Sequence, residues 1–297
     1  MRVGVGLPME DVGGTAYPYR IIREMALSSE AAGFDSIWVY DHLLFRDGGE
    51  TTGLHEAWTI LTAVAEATTR VQLGTNVLCT EFRNPALLAK MAATLDHVSD
   101  GRLILGLGCG WNDPEYDAFG YPTDHKVGRF EDSIMIIHSL IRDGRADHEG
   151  RFHSVTDAAL VPPARPDLRI LVAAKRPRMM DLTARYADAW NTAWYGLPSE
   201  RLTASREDLR AACAREGRDP ASVEITVGVE VRFPDVATSP PAGSGLSPGP
   251  VNGEPDEIVA AFRAYEAWGA DQLIIALDPA TPATLEILAE GYGRYRA

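Results

Sequence analysis

The sequence predicts an α/β fold: a (β/α)8 barrel in a single domain, residues 1–297, with insertions after its fourth and seventh strands. Three observations carry that reading. Apolar runs of strand length alternate with helical segments eight times along the chain. The runs are nearly continuous in apolar residues, as parallel strands covered on both faces must be. The rival, a doubly wound open sheet, wants a Gly-rich turn after its first strand, and Pro8 and Met9 stand there instead.

The elements follow in order. Residues 3–7 form the first strand, closed by Pro8, and 19–32 a helix that Gly33 stops. Residues 36–40 are the second strand, closed by Asp41 and His42, and 45–53 a polar, Gly-rich loop. A helix at 56–69 precedes the third strand, 71–78. The helix at 85–99 carries Pro85 in its first turn, where the missing N–H costs nothing. Residues 103–107 are the fourth strand. A long loop, 111–128, with a short helix near 115–119, leads to a helix at 129–142. Residues 148–166 read as a short hairpin or an irregular excursion. The fifth strand is 169–174, then a helix at 178–186, and the sixth strand is 189–194. The helix at 199–216 is capped by Ser199. The seventh strand, 224–231, precedes a Pro-, Gly- and Ser-rich stretch, 232–253, read as a mobile loop and candidate lid. A helix at 255–268, the eighth strand at 271–277 and a helix at 284–292 finish the chain.

One stretch stands out. In GRLILGLGCGWNDPEYDAFG, residues 101–120, a strand ends with Gly106, Gly108 and Gly110 alternating, and Trp111 follows with Asn112, Asp113 and Glu115 behind it. Missing side chains permit close approach of another backbone or a flat ligand. Two readings stay open: one wall of a slot for a planar ring, or a tight turn with a packed Trp111.

The net charge of −14 disfavours nucleic acid and anionic membrane surfaces as partners. No apolar run reaches 18 residues, and the first residues lack the pattern of a secretion signal. Cys79, Cys109 and Cys213 are odd in number and far apart, against a disulfide framework or a structural zinc site. A cytoplasmic protein with no bound metal is the expectation.

A barrel places its chemistry at the C-terminal ends of the strands. Those ends carry Asp41 and His42; Asn76, Val77 and Cys79; Cys109, Gly110 and Trp111; Ala174, Lys175 and Arg176; Asn191 and Trp194; and Glu230. With them stand SIWVYDHLLF at 36–45, EAWTILTAVAEATTRVQLGTNVL at 56–78, RNPALLAKMAATLDHVSDGR at 83–102, GLGCGW at 106–111 and ARYADAWN at 184–191. In order and at this spacing, the chain resembles the bacterial luciferase-like monooxygenase family, especially its coenzyme F420-dependent members, from Val3 to about Tyr292.

The resemblance implies a flavin-type ring across the barrel mouth and an oxidoreductase that moves a hydride between F420 and a small organic substrate. The alternatives it leaves are an FMN-dependent monooxygenase using O2 and a flavin-binding protein without turnover. Asn76–Val77 matches a non-prolyl cis peptide behind the ring, with Cys79, Cys109, Gly110, Trp111 and Trp194 around it. His42 matches a histidine near the reactive ring position, and an imidazole exchanges protons near neutrality. Asp41 matches its neighbour in contact with cofactor or substrate. Glu56 is a third catalytic candidate, or simply the acid that opens its helix. Ala174, Lys175 and Arg176 precede a helix where relatives bind phosphate, though many carry Gly-Gly there. The sugar-phosphate dehydrogenases of the family carry glutamate where this chain has Trp111, which argues against a sugar phosphate. The family further implies a homodimer and a reductase partner that supplies reduced flavin or F420.

Overall fold

The computed structural model describes residues 1–11, 14–234, 236 and 249–297. Eight parallel strands close on themselves: β1 (Arg2–Gly6), β2 (Ser36–Val39), β3 (Gln72–Thr75), β4 (Leu103–Gly108), β5 (Arg169–Ala173), β6 (Ala189–Tyr195), β7 (Glu224–Arg232) and β8 (Gln272–Asp278). Each pairs with the next, and β8 returns to β1 with Val3 beside Leu273. This is the expected closed barrel. Helices α1 (Tyr19–Ala31), α2 (Ala57–Ala67) and α3 (Pro85–Val98) follow the first three strands. Helices α4 (Asp113–Phe119) and α5 (Lys126–Asp143) follow β4, then α6 (Pro177–Tyr186), α7 (Glu200–Arg215), α8 (Pro255–Trp268) and α9 (Pro282–Arg296). Among the described residues no helix is long and apolar enough to cross a membrane.

The barrel interior is filled around one indole. Trp38 on β2 is fully buried. A Cβ on Gly4 or Gly74 would fall 2.5 and 2.2 Å from it, so the flanking strands must be bare there. The Trp38 Nε1–H donates to Ser36 Oγ at 2.8 Å, and Gln272 Nε2 donates to the same oxygen at 2.7 Å, which satisfies the polar groups of this layer. Ile104, Leu171, Ala189 and Ile274 complete the cluster, and Val77 and Trp194 pack on it from the mouth side.

Four segments differ from expectation. Residues 44–53 are a hairpin, Leu44–Asp47 against Glu50–Gly53, because Gly48 and Gly49 take φ of +56° and +91° in a two-residue turn. The third strand ends at Thr75 and resumes as the short pair Leu78–Cys79 beside β4, interrupted by the cis Asn76–Val77 bond. Helix α5 begins three residues early, at Lys126, and α4 two early, at Asp113. After α5, Arg145–Glu149 and Ser154–Ala159 form a hairpin, which resolves the two readings of that region. Most of the candidate lid lies outside the described residues; its end, Val251–Asn252, pairs with β7.

Candidate active site

The β2–α2 and β4–α4 connections meet at His42. Glu115, in the first turn of α4, is 1% exposed, and its Oε1 lies 3.0 Å from His42 Nδ1. Its Oε2 accepts from the Leu43 N–H at 2.8 Å. A carboxylate only accepts, so Nδ1 carries the proton and Nε2 is the basic nitrogen of the ring. Asn112 Nδ2 donates to the Leu44 carbonyl at 2.7 Å and fastens α4 to the hairpin. The rings of Phe45 and Trp111 flank the imidazole, with centroids at 4.6 and 5.4 Å.

Asp41 and Glu56 have other partners. Arg83 grips Asp41 with both terminal nitrogens, at 2.8 and 3.0 Å, and also bonds Glu56. Asp41 further accepts the Cys79 N–H at 2.9 Å. Glu56 caps α2 through the N–H groups of Trp58 and Thr59. Its burial opposes the charge, but Thr59, Arg83 and Trp58 outweigh it and hold the carboxyl below its usual value. Through Arg83 these two acids tie the starts of α2 and α3 to the end of β2.

The alternate glycines serve the protein's own packing. A Cβ on Gly106 would meet the Thr75 carbonyl at 1.8 Å, one on Gly108 the Val77 methyl at 2.7 Å, and one on Gly110 the Tyr116 hydroxyl at 1.9 Å. The Tyr116 hydroxyl lies 2.8 Å from Cys79 Sγ and donates to the Cys109 carbonyl at 3.0 Å. Burial pushes the Cys79 thiol up to about 12, and burial also raises Cys109, so both stay protonated and poor as nucleophiles.

On the far side of the ring, Ala174 is buried while Lys175 and Arg176 are exposed. Arg176 is the N-cap of α6, and no side chain caps that helix start. Lys175 reaches solvent, yet partial desolvation lowers its ammonium below its ordinary value, opposed by Tyr195 and reinforced by Arg201. Trp194 follows a second non-prolyl cis bond, Ala193–Trp194, and stands edge-on to Tyr40 at 5.9 Å. Gly228 leaves room for its ring. Glu230 is 2% exposed and accepts from Arg232 at 2.7 Å.

Three site residues escaped the sequence reading: Glu115 as the partner of His42, Arg83, and Glu10. Burial raises the Glu10 carboxyl despite the nearby His42, and Asp11 and Asp278 raise it further. Its place just past the first strand was the only available signal.

A family model described as luciferase-like monooxygenase matches residues 1–235. The chain belongs to that family. Luciferase-like relatives include pyrimidine monooxygenase RutA of Rhizobium rhizogenes, 30% identical over 75% of this chain and 65% of its own length. The F420-dependent glucose-6-phosphate dehydrogenase of Amycolatopsis mediterranei is 33% identical over 64% of this chain and 56% of its own. The chain thus spans less than two thirds of these curated relatives. An F420-dependent secondary alcohol dehydrogenase, solved with an F420-acetone adduct, shares the fold with a TM-score of 0.81 at 18% identity, covering 100% of this chain and 99% of its own. Riboflavin lyase, solved with modified FMN, gives 0.80 at 16% identity over 99% of this chain and 91% of its own. The similar proteins thus include F420-dependent enzymes and one solved with modified FMN.

The luciferase-like mouth fits such a cofactor in its donor set. Lys175, Arg176 and the uncapped start of α6 are cations and N–H groups of the kind that would hold an anionic tail. Val77 and Trp194, packed on the inner cluster, are partly buried apolar side chains that would floor a ring.

Proposed function

We propose that this protein transfers a hydride between coenzyme F420 and a small organic substrate, with His42 moving the accompanying proton. The observation that carries the reading is the His42–Glu115 pair, which fixes the imidazole in one tautomer and orientation at the barrel mouth. Bound there, the deazaflavin supplies a two-electron hydride carrier. The chain's own work is to hold and orient. Lys175, Arg176 and the α6 N-terminus neutralise the tail, and Val77 and Trp194 seat the ring. Phe45 and Trp111 shield the imidazole from bulk water, and Nε2 of His42 gives or takes the proton at the substrate.

A second reading, FMN-dependent monooxygenation with reduced flavin from a partner reductase, is favoured by the similarity to RutA over three quarters of the chain. Fluorescence-quenching titrations of FMN and F420, side by side, separate the two. F420 binding is expected; tight FMN binding with none for F420 overturns the first reading. Binding of either without turnover leaves a flavin carrier.

A further inference from the structure

We propose that the part of the mouth where the loops after β2 and β4 meet takes a flat aromatic substrate that bears no negative charge, laid against Trp111 beside His42. The proposal rests on the oxidoreductase reading of this mouth and names its substrate class. It moves Trp111 from the cofactor to the substrate.

The first observation is a cluster of rings left open. Trp111 is 70% exposed. It is not a lone surface aromatic: Phe45 stands at 6.2 Å, tilted by 32°, and the His42 imidazole meets it edge-on at 5.4 Å. Two rings thus converge on the imidazole, a side chain equipped to move a proton. A flat apolar molecule placed there gains ring contacts that water cannot supply. A saturated or branched molecule of equal size gains less.

The second observation is the division of charge around the ring. In a closed set of eight strands, β1 and β5 lie opposite one another. The end of β5 carries Lys175 and Arg176. Past the end of β1 sits Glu10, bridged to Leu54 directly after the 44–53 hairpin that carries Phe45, where the charges of His42 and Asp278 act on it. Arg232, on β7, is held by Glu230 at 2.7 Å and Asp278 at 2.8 Å, so its charge is already balanced. An anion meets a favourable field on the β5 side and a repulsive one near Glu10. An anionic tail is thereby favoured at the end of β5 and an anionic substrate disfavoured beside Glu10 and His42.

Calorimetric titration of the full chain, with and without saturating F420, tests this. The probes are quinoline, N-methylquinolinium, quinoline-4-carboxylate and saturated decahydroquinoline. Quinoline and N-methylquinolinium are expected to bind at least about tenfold more tightly than the carboxylate, through like-charge repulsion. N-Methylquinolinium should also exceed decahydroquinoline, which carries charge without a ring face. Trp111→Ala should weaken quinoline by about fivefold while Trp111→Phe retains it, and Glu10→Gln should narrow the gap to the carboxylate. Equal binding of the carboxylate, indifference to Trp111→Ala, or no binding of any probe in either state overturns the proposal. F420 binding is read separately by fluorescence quenching in the same preparations. Failure there with quinoline still bound strikes the cofactor reading alone.

Discussion

Glu115 Oε1 lies 3.0 Å from His42 Nδ1, and the two residues are 73 positions apart in sequence. The contact turns the first turn of α4 into a brace for the loop after β2. His42→Ala is expected to leave cofactor affinity nearly unchanged and to lower turnover by about 10²–10⁴, the range of a general acid–base group. Glu115→Ala should lower kcat by at least about tenfold with KM little changed, because the imidazole loses its fixed tautomer. Glu115→Gln, which keeps an acceptor, should recover part. Steady-state kinetics check this; unchanged kcat in both alanine variants removes the pair from the mechanism.

Arg83 and Asp41 form an ion pair with side chains only 10% and 1% exposed. Removing one partner strands the other charge in the interior. Arg83→Met should cost about 3–5 kcal/mol, and adding Asp41→Asn should return part of it. Urea unfolding measures both; a cost below that of an exposed pair would mean that Asp41 finds another partner.

Gly110 combines a φ of +69° with the Tyr116 hydroxyl 1.9 Å from where a Cβ would sit. Gly110→Ala should destabilise by about 1–3 kcal/mol. Pairing it with Tyr116→Phe should relieve the clash but not the backbone conformation, so recovery in thermal unfolding is expected to be incomplete.

Cys79 is buried, and its thiol, pushed up to about 12 by burial, is almost wholly protonated at pH 8. Iodoacetamide should label it slowly in the native protein and quickly in urea. Mass spectrometry of the Cys79 peptide reads the ratio, and fast native labelling contradicts a packing role.

Glu10 gives a pH dependence with a definite sign. Its folded value is raised, chiefly by burial. The protonated form therefore favours the fold below the ordinary glutamate range, and that contribution is lost as pH rises through the raised value. Glu10→Gln should raise Tm at pH 7–8, with the gain shrinking toward pH 4. A gain that grows on acidification would show the opposite shift.

Much of the frame was legible in the chain itself. Eight apolar runs separated by helical segments imply a closed parallel barrel, because buried strands and their covering helices have different hydrophobic periods. That topology then puts His42, Asn76–Val77 and Lys175 at one end without any contact being known. Gly48–Gly49 between two short runs is equally a hairpin signal, which the polarity of residues 45–53 does not register.

What stayed hidden are contacts between distant parts of the chain. That Arg83 holds both Glu56 and Asp41 could not be read from their positions. The alternate glycines of β4 look like a ligand's berth until the Thr75 carbonyl, Val77 and the Tyr116 hydroxyl are found in that space. Glu115 looks like a surface helix residue until His42 arrives. Local periodicity registers which face a side chain presents. The partner it meets depends on how two loops are brought together by strands far apart in sequence, and only packing in three dimensions specifies that.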